Sequence, residues 1–198
     1  MQEAAMFDWF HFLSYVVTTA STPGPNNLVA MSTAGRQGYK KTLPFLFGAW
    51  VGFVIVAFLS AVFCSILSAL IPKIKTPMMF VGAAYLLYLA WKTYQRSSVI
   101  REDERRGGFL FGLILQFLNV KIIIYCILSM EVYILPHFQG EWSRILFFVF
   151  LLPTVGFLFC NCWALFGHVF KKLFSQYAKI TNTVMALLLV YCAVSLFL

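Results

Sequence analysis

Lys121 is the only formal charge well inside an otherwise uncharged stretch over residues 107–130. A lysine at the centre of a membrane helix costs roughly 2.5–3.5 kcal/mol on insertion scales, so it should face a cavity or a partner rather than lipid. Tyr125 and Ser129 follow at i+4 and i+8 and share its helical face, while Gln116 and Asn119 share another. A break near Asn119 would bring both sets to one cavity. A second cluster, Thr22-Pro23-Gly24-Pro25-Asn26-Asn27, lies in the uncharged stretch 9–35. Pro23 and Pro25 each remove a backbone N–H, so the carbonyls of Thr19 and Ser21 lose their usual helical donors. Free backbone polar groups at membrane depth are tolerated only inside protein or beside a water-filled cavity. A lysine, several amides and freed carbonyls, with no carboxylate at that depth, suit a zwitterionic amino acid. The substrate carboxylate would pair with Lys121 or with N–H groups at the start of a half-helix. The ammonium would meet the carbonyls of Thr19 and Ser21 and the amides of Asn26 and Asn27. Asn161, between Cys160 and Cys162, is the other polar side chain deep in an apolar stretch. It serves either as an interhelical hydrogen bond or as a further site contact. The chemistry also admits other small organic anions, and on residues alone it stops at a small polar solute.

These groups need a membrane scaffold to hold them, and the composition provides one. The 198 residues are 61% hydrophobic and only 11% charged, against about 45–50% apolar and about 25% charged for soluble domains. Apolar stretches over 9–35, 42–72, 76–91, 107–130, 145–170 and 180–198 predict six transmembrane helices in a single domain covering 1–198. The net charge of +8 is a topology signal, not a nucleic-acid one. Eleven Lys and Arg residues lie between helices 1 and 2, 3 and 4, and 5 and 6, against Lys73, Lys75 and Arg144 on the alternate side. The positive-inside rule then puts both termini outside the cytoplasm, with anionic lipid as a natural neighbour. The start of the chain has Glu3 and Asp8 and no basic region, so no cleaved signal peptide is expected.

Three helices, a polar linker near 92–106 and three more helices make two halves, about 7–95 and 107–198. An odd number of crossings per half inserts the second in the opposite direction. The expected fold is therefore an all-α membrane protein of six transmembrane helices in two inverted three-helix repeats, with helices 1 and 4 broken. Arg101-Glu102-Asp103-Glu104-Arg105-Arg106 reads as a solvated linker. Gly48-x-x-x-Gly52 and Gly108-x-x-x-Gly112 allow close helix approach, within one chain or in a homodimer. The five cysteines (Cys64, Cys126, Cys160, Cys162, Cys192) fall inside predicted helices without redox or zinc spacing, and read as packing residues.

Other functions fit the residues less well. Hydrolysis at depth needs a nucleophile with a base, or paired acids, and the spans hold acids only at their margins. An intramembrane enzyme is thus a distant alternative. A channel or metal transporter would show acidic rings or clustered ligands, and nothing in the pattern calls for a metal or cofactor.

At these positions the chain resembles the lysine-exporter superfamily of bacterial amino-acid exporters, the LysE/RhtB type. The likeness rests on Thr22-Pro23-Gly24-Pro25-Asn26-Asn27 in helix 1, on Gly82-Ala83-Ala84-Tyr85-Leu86-Leu87-Tyr88-Leu89-Ala90-Trp91-Lys92 in helix 3, and on Gln116-Phe117-Leu118-Asn119-Val120-Lys121 in helix 4. Many members carry proline where this chain has Val120, which predicts a softer second break. Asn119-Val120-Lys121, Cys162-Trp163-Ala164-Leu165-Phe166-Gly167-His168 and Leu187-Leu188-Leu189-Val190-Tyr191-Cys192-Ala193-Val194 resemble the cysteine/O-acetylserine branch. The resemblance implies a bacterial inner-membrane exporter of small neutral amino acids, cysteine and O-acetylserine foremost, working by proton antiport. Homoserine, threonine or lysine as substrate, or facilitated diffusion, are the alternatives. The expected binding set is Pro23, Gly24, Pro25, Asn26, Asn27, Gln116, Asn119, Lys121, Tyr125 and Asn161. With no membrane carboxylate available, Lys121 is also the expected proton carrier, because burial disfavours its charged form.

Overall fold

The structure is a computed structural model and describes residues 7–95, 108–170 and 177–194. The linker 101–106 and Lys171 and Lys172, which carry part of the charge asymmetry, lie outside the described residues. Among those described, every regular element is helical. Among the described residues, three apolar helices are long enough to cross a membrane: Tyr39–Cys64 with mean hydropathy 2.4, Val120–Phe138 with 1.5 and Trp142–Val169 with 2.3.

Helix α1 (Trp9–Ser21) starts at Asp8, whose carboxylate accepts from the His11 backbone N–H at 3.0 Å. That bond, with the His11 ring 2.5 Å from the other oxygen, holds the Asp8 carboxyl below its usual range. Helix α2 (Pro25–Gln37) follows after a break. Gly38 alone joins α2 to α3 (Tyr39–Tyr94), with φ of 91°, a left-handed conformation that favours glycine. Arg36, read from sequence as a loop residue, sits in the last turn of α2 and donates to Asn182 Oδ1 at 2.9 Å.

The boundary implied by separate apolar stretches over 42–72 and 76–91 is not where helical geometry fails. In α3 the backbone departs from helix at Phe63 (φ −109°, ψ 19°), with no proline or glycine within four residues to explain the position. Helices α4 (Phe109–Leu118) and α5 (Val120–Leu128) make the second broken span. It continues through a π-helical turn over Ser129–Ile134 into α6 (Leu135–Phe138), eight residues past the predicted end at Met130. There the Leu135 N–H reaches back five residues to Met130 O, just before Pro136, which has no N–H to give. The last elements are α7 (Trp142–Val169) and α8 (Ala178–Val194).

The first half of α3 packs on α4, α5 and α7, and α2 packs on α7 and α8. Glycines decide how close these helices come. A Cβ at Gly48 would overlap Phe109 O, one at Gly52 would lie 2.6 Å from Leu113 O, and one at Gly112 would overlap Phe45 O. Both small-residue motifs are therefore spent on each other inside one chain. Likewise Gly167 of α7 lets the Met31 carbonyl of α2 approach. This packing sets the two breaks side by side.

Candidate functional site

The first break covers residues 22–24. Thr22 (φ −64°, ψ 143°) and Gly24 (φ −153°, ψ 174°) are extended, and Pro25 opens α2. Every carbonyl exposed by the break has a donor. Thr18 O accepts from Thr22 N at 3.2 Å, and Thr19 O from the Thr22 hydroxyl at 2.9 Å. Asn27 Nδ2 donates to Ala20 O at 3.1 Å and to Thr22 O at 3.0 Å. The Trp163 indole reaches Ser21 O at 3.3 Å, the Cys192 thiol lies 3.9 Å from Pro23 O, and Leu28 N bonds Gly24 O at 3.0 Å. Backbone acceptors buried away from water must be paired, and here side chains from α2, α7 and α8 do the pairing.

Lys121 completes this set. Its ammonium donates to Thr22 O at 3.1 Å and to Thr22 Oγ1 at 2.8 Å. It is thus a cation at the C-terminal end of α1, where the helix dipole is negative, a placement worth about 0.3–1 kcal/mol. Gly24 keeps the lysine stem in place: a Cβ there would lie 3.2 Å from both Lys121 Cδ and Nζ.

The second break is a single residue, Asn119 (φ −89°, ψ 91°), between α4 and α5. It forms without proline. Asn26 Nδ2 donates to Gln116 Oε1 at 2.7 Å, while Gln116 Nε2 donates back to Asn26 Oδ1 at 3.2 Å and to Gly112 O at 2.8 Å. Asn119 Nδ2 adds a bond to Asn26 Oδ1 at 3.3 Å, and the Cys160 thiol lies 3.6 Å from Asn26 O. An amide triad therefore joins the start of α2 to the end of α4. Asn119 Oδ1, the Tyr125 hydroxyl and Ser129 Oγ are buried without a hydrogen-bond partner. Each such group costs about 1–3 kcal/mol.

A partly open cavity lies where the two breaks meet, with about 590 Å³ of empty space including its mouth. Thr19, Ala20 and residues 24–27 line one side, Asn119, Lys121, Ile122 and Tyr125 another. Trp50 and Phe53 of α3 and Pro153, Gly156, Phe157 and Cys160 of α7 close the rest. The N-terminal ends of α2 and α5 both face it, so two positive helix ends and a lysine converge on one space. Beside them is Asn119, whose Oδ1 is unpaired, and Trp50, Phe53 and Phe157 bring aromatic rings to the same space. That pattern offers a carboxylate its donors and an ammonium an acceptor and π faces.

Of the residues expected to bind, Gly24, Pro25, Asn26, Asn27, Asn119, Lys121 and Tyr125 line the cavity. Pro23 is exposed outside it, and Gln116 lies behind it, fully buried against Asn26. Asn161 is elsewhere, accepting from the Tyr39 hydroxyl at 2.6 Å and donating to Phe157 O at 2.7 Å. The expected ammonium acceptors are already engaged: Thr19 O and Ser21 O by Thr22 and Trp163, the Asn26 and Asn27 amides by Gln116 and the broken backbone. Cysteine packing extends to the cavity wall in the case of Cys160.

The aromatic wall and Pro153 were not legible from motifs. Pro153 offered one signal, a proline inside an uncharged span. Its neighbour Thr154 turns its hydroxyl to Phe150 O at 2.7 Å and accepts from the Trp50 indole at 3.3 Å.

Residues 17–198 match the family described as LysE type translocator. Proteins named cysteine/O-acetylserine efflux protein from Escherichia coli, Salmonella typhimurium and Shigella sonnei are each 40% identical over 189 residues, covering 94% of this chain and 95% of theirs. No solved structure matches. The chain is accordingly a multi-pass inner-membrane transporter and not an enzyme, and it belongs to the LysE type translocator family.

Proposed function

We propose that this protein exports cysteine and O-acetylserine from the cytoplasm through the cavity between the two breaks. The observation that carries the reading is the convergence of Lys121 and two half-helix N-termini on one cavity beside the unpaired Asn119 Oδ1. Lys121 has three N–H donors and spends two on Thr22, leaving one for a substrate carboxylate. The N–H groups at the start of α2 supply further donors. Asn119 Oδ1 and the Tyr125 hydroxyl take the ammonium. The aromatic wall accepts a thiol or an acetyl ester with equal ease, which suits both solutes.

In this reading the spans form two inverted three-helix halves with both termini outside the cytoplasm. The broken helices α1–α2 and α4–α5 enter from opposite faces and meet at the site. Coupling is by proton antiport through Lys121, which takes up a proton from the outer side as substrate departs there and releases it to the cytoplasm as the next substrate binds. A second reading, exchange with Lys121 permanently charged, draws on the ammonium's two oxygen partners at Thr22. Efflux from preloaded cells or inverted vesicles tests the substrate, with cysteine, O-acetylserine, homoserine, threonine and lysine compared. Faster efflux of the first two is expected, and preference for lysine would overturn the assignment. Collapsing the pH gradient separates the coupling readings, since accumulation that persists unchanged rejects antiport.

A further inference from the structure

Beyond the cavity, the face of α5 that carries Lys121 and Tyr125 continues through Ser129 to Tyr133, each step four residues on. Tyr125 is 3% exposed and Ser129 0%; the Tyr125 hydroxyl has no partner, and Ser129 Oγ makes no hydrogen bond of ordinary length, the Tyr15 side chain being its polar neighbour. Tyr125 belongs to an apolar cluster that includes Phe12, Val16 and Met130. Tyr15 of α1 covers the row. Its ring stacks on Tyr125 at 5.7 Å and 21° and on Tyr133 at 5.5 Å and 24°. Partnerless hydroxyls in such surroundings weaken packing, and alanine or phenylalanine would fill the same space without that penalty. Their placement therefore needs a use outside the resting fold. Ser129 also opens the π-helical turn, a local widening often found at functional positions.

We propose that Tyr125, Ser129 and Tyr133, covered by Tyr15, form the second half of the transport route, leading from the cavity along α5 away from Lys121. Hydroxyls donate and accept alike, so the row can hand on both the carboxylate and the ammonium of a small zwitterion and the water travelling with it. The Tyr15 ring lies over this row, stacked on Tyr125 and Tyr133. Passage requires Tyr15 to swing away from Tyr125 and Tyr133, exposing the hydroxyls to solute. The proposal rests on the cavity being the transport site.

Ser129→Ala tests it, because Ser129 does not line the cavity. Export of cysteine should fall at least tenfold, while the thermal midpoint of the purified protein stays level or rises and cysteine still shifts that midpoint. Export at the native rate would overturn the route. So would a fall in export accompanied by a drop in midpoint of several degrees, which would assign the hydroxyl a structural bond. Tyr15→Leu, which removes the stacked cover, should raise passive cysteine leak severalfold, and an unchanged leak counts against the passage. Lys121→Met is run alongside: normal export by that variant would break the cavity reading itself, whatever Ser129→Ala does.

Discussion

The two breaks solve the same backbone problem in opposite ways. At the first, residues 22–24 leave the helix and every freed carbonyl finds a donor, some from as far along the chain as Lys121, Trp163 and Cys192. At the second, one residue leaves the helix and buried polar atoms stay unpaired at Asn119 and, further along α5, at Tyr125. The first break is a finished joint, held by α2, α5, α7 and α8 together. The second leaves hydrogen-bonding capacity open at the cavity. Paired groups confer rigidity, and unpaired ones are where a solute gains most by binding. Recognition and motion should therefore concentrate on α5, with the Pro-Gly-Pro joint as their fixed support.

The largest expected effect comes from Lys121, which belongs to both breaks. Lys121→Met keeps the apolar stem but removes the ammonium from Thr22 and from the substrate. Export should fall by a factor of 100 or more, with a loss of stability of about 1–2 kcal/mol from the uncapped end of α1. Export assays normalised to membrane expression, together with thermal unfolding in detergent, check both parts.

A paired experiment then sets the joints against each other. Asn27→Ala strips the donor from Ala20 O and one of the two donors from Thr22 O, which keeps Lys121, so it should cost about 2–3 kcal/mol of stability. Asn119→Ala loses one long bond, at 3.3 Å, and removes an acceptor that was unpaired. Its stability should change by less than about 1 kcal/mol while export drops about tenfold or more. If both variants lose stability equally, the contrast between a closed and an open break fails. Trp163→Phe sharpens the same point at smaller scale: losing the indole donor to Ser21 O should cost about 1 kcal/mol, read as a midpoint a few degrees lower.

The location of both breaks was legible in the sequence because proline, glycine and amides stand out in an apolar span. Lys121 was legible for the same reason, as a charge where charge is expensive. Their partners were not. Which donor answers each orphan carbonyl depends on how α7 and α8 pack against α2, and neither Trp163 nor Cys192 carries a periodicity that would reveal it. Gln116 read as a binding residue because its polarity was visible, whereas its bonds to Asn26 and Gly112 were not. Asn161 failed to reach the cavity for a similar reason, since helical phase alone does not say whether a deep amide faces a solute or Tyr39. The aromatic wall lies on α3 and α7, outside any motif, and only packing brings it to the site. In α3 the bend at Phe63 lacks even a local signal.

The smallest expected effect is at Gly24, and it separates the two breaks most finely. The backbone there is extended and any residue can adopt it, so alanine carries no conformational strain. What it adds is a methyl group 3.2 Å from Lys121 Cδ and Nζ. The lysine stem is flexible and can give by a few tenths of an ångström, but its ammonium then sits less well on Thr22. Stability should therefore change by no more than about 1 kcal/mol, the low end of the cost of adding a methyl group to packed surroundings. Export should fall about threefold to tenfold, because the group displaced is the one that meets the substrate, with the loss appearing mainly as a higher concentration for half-maximal transport. Should Gly24→Ala lower the unfolding midpoint by many degrees while half-saturation stays native, Gly24 would serve the joint rather than the lysine. The first break would then be coupled to Lys121 only through Thr22.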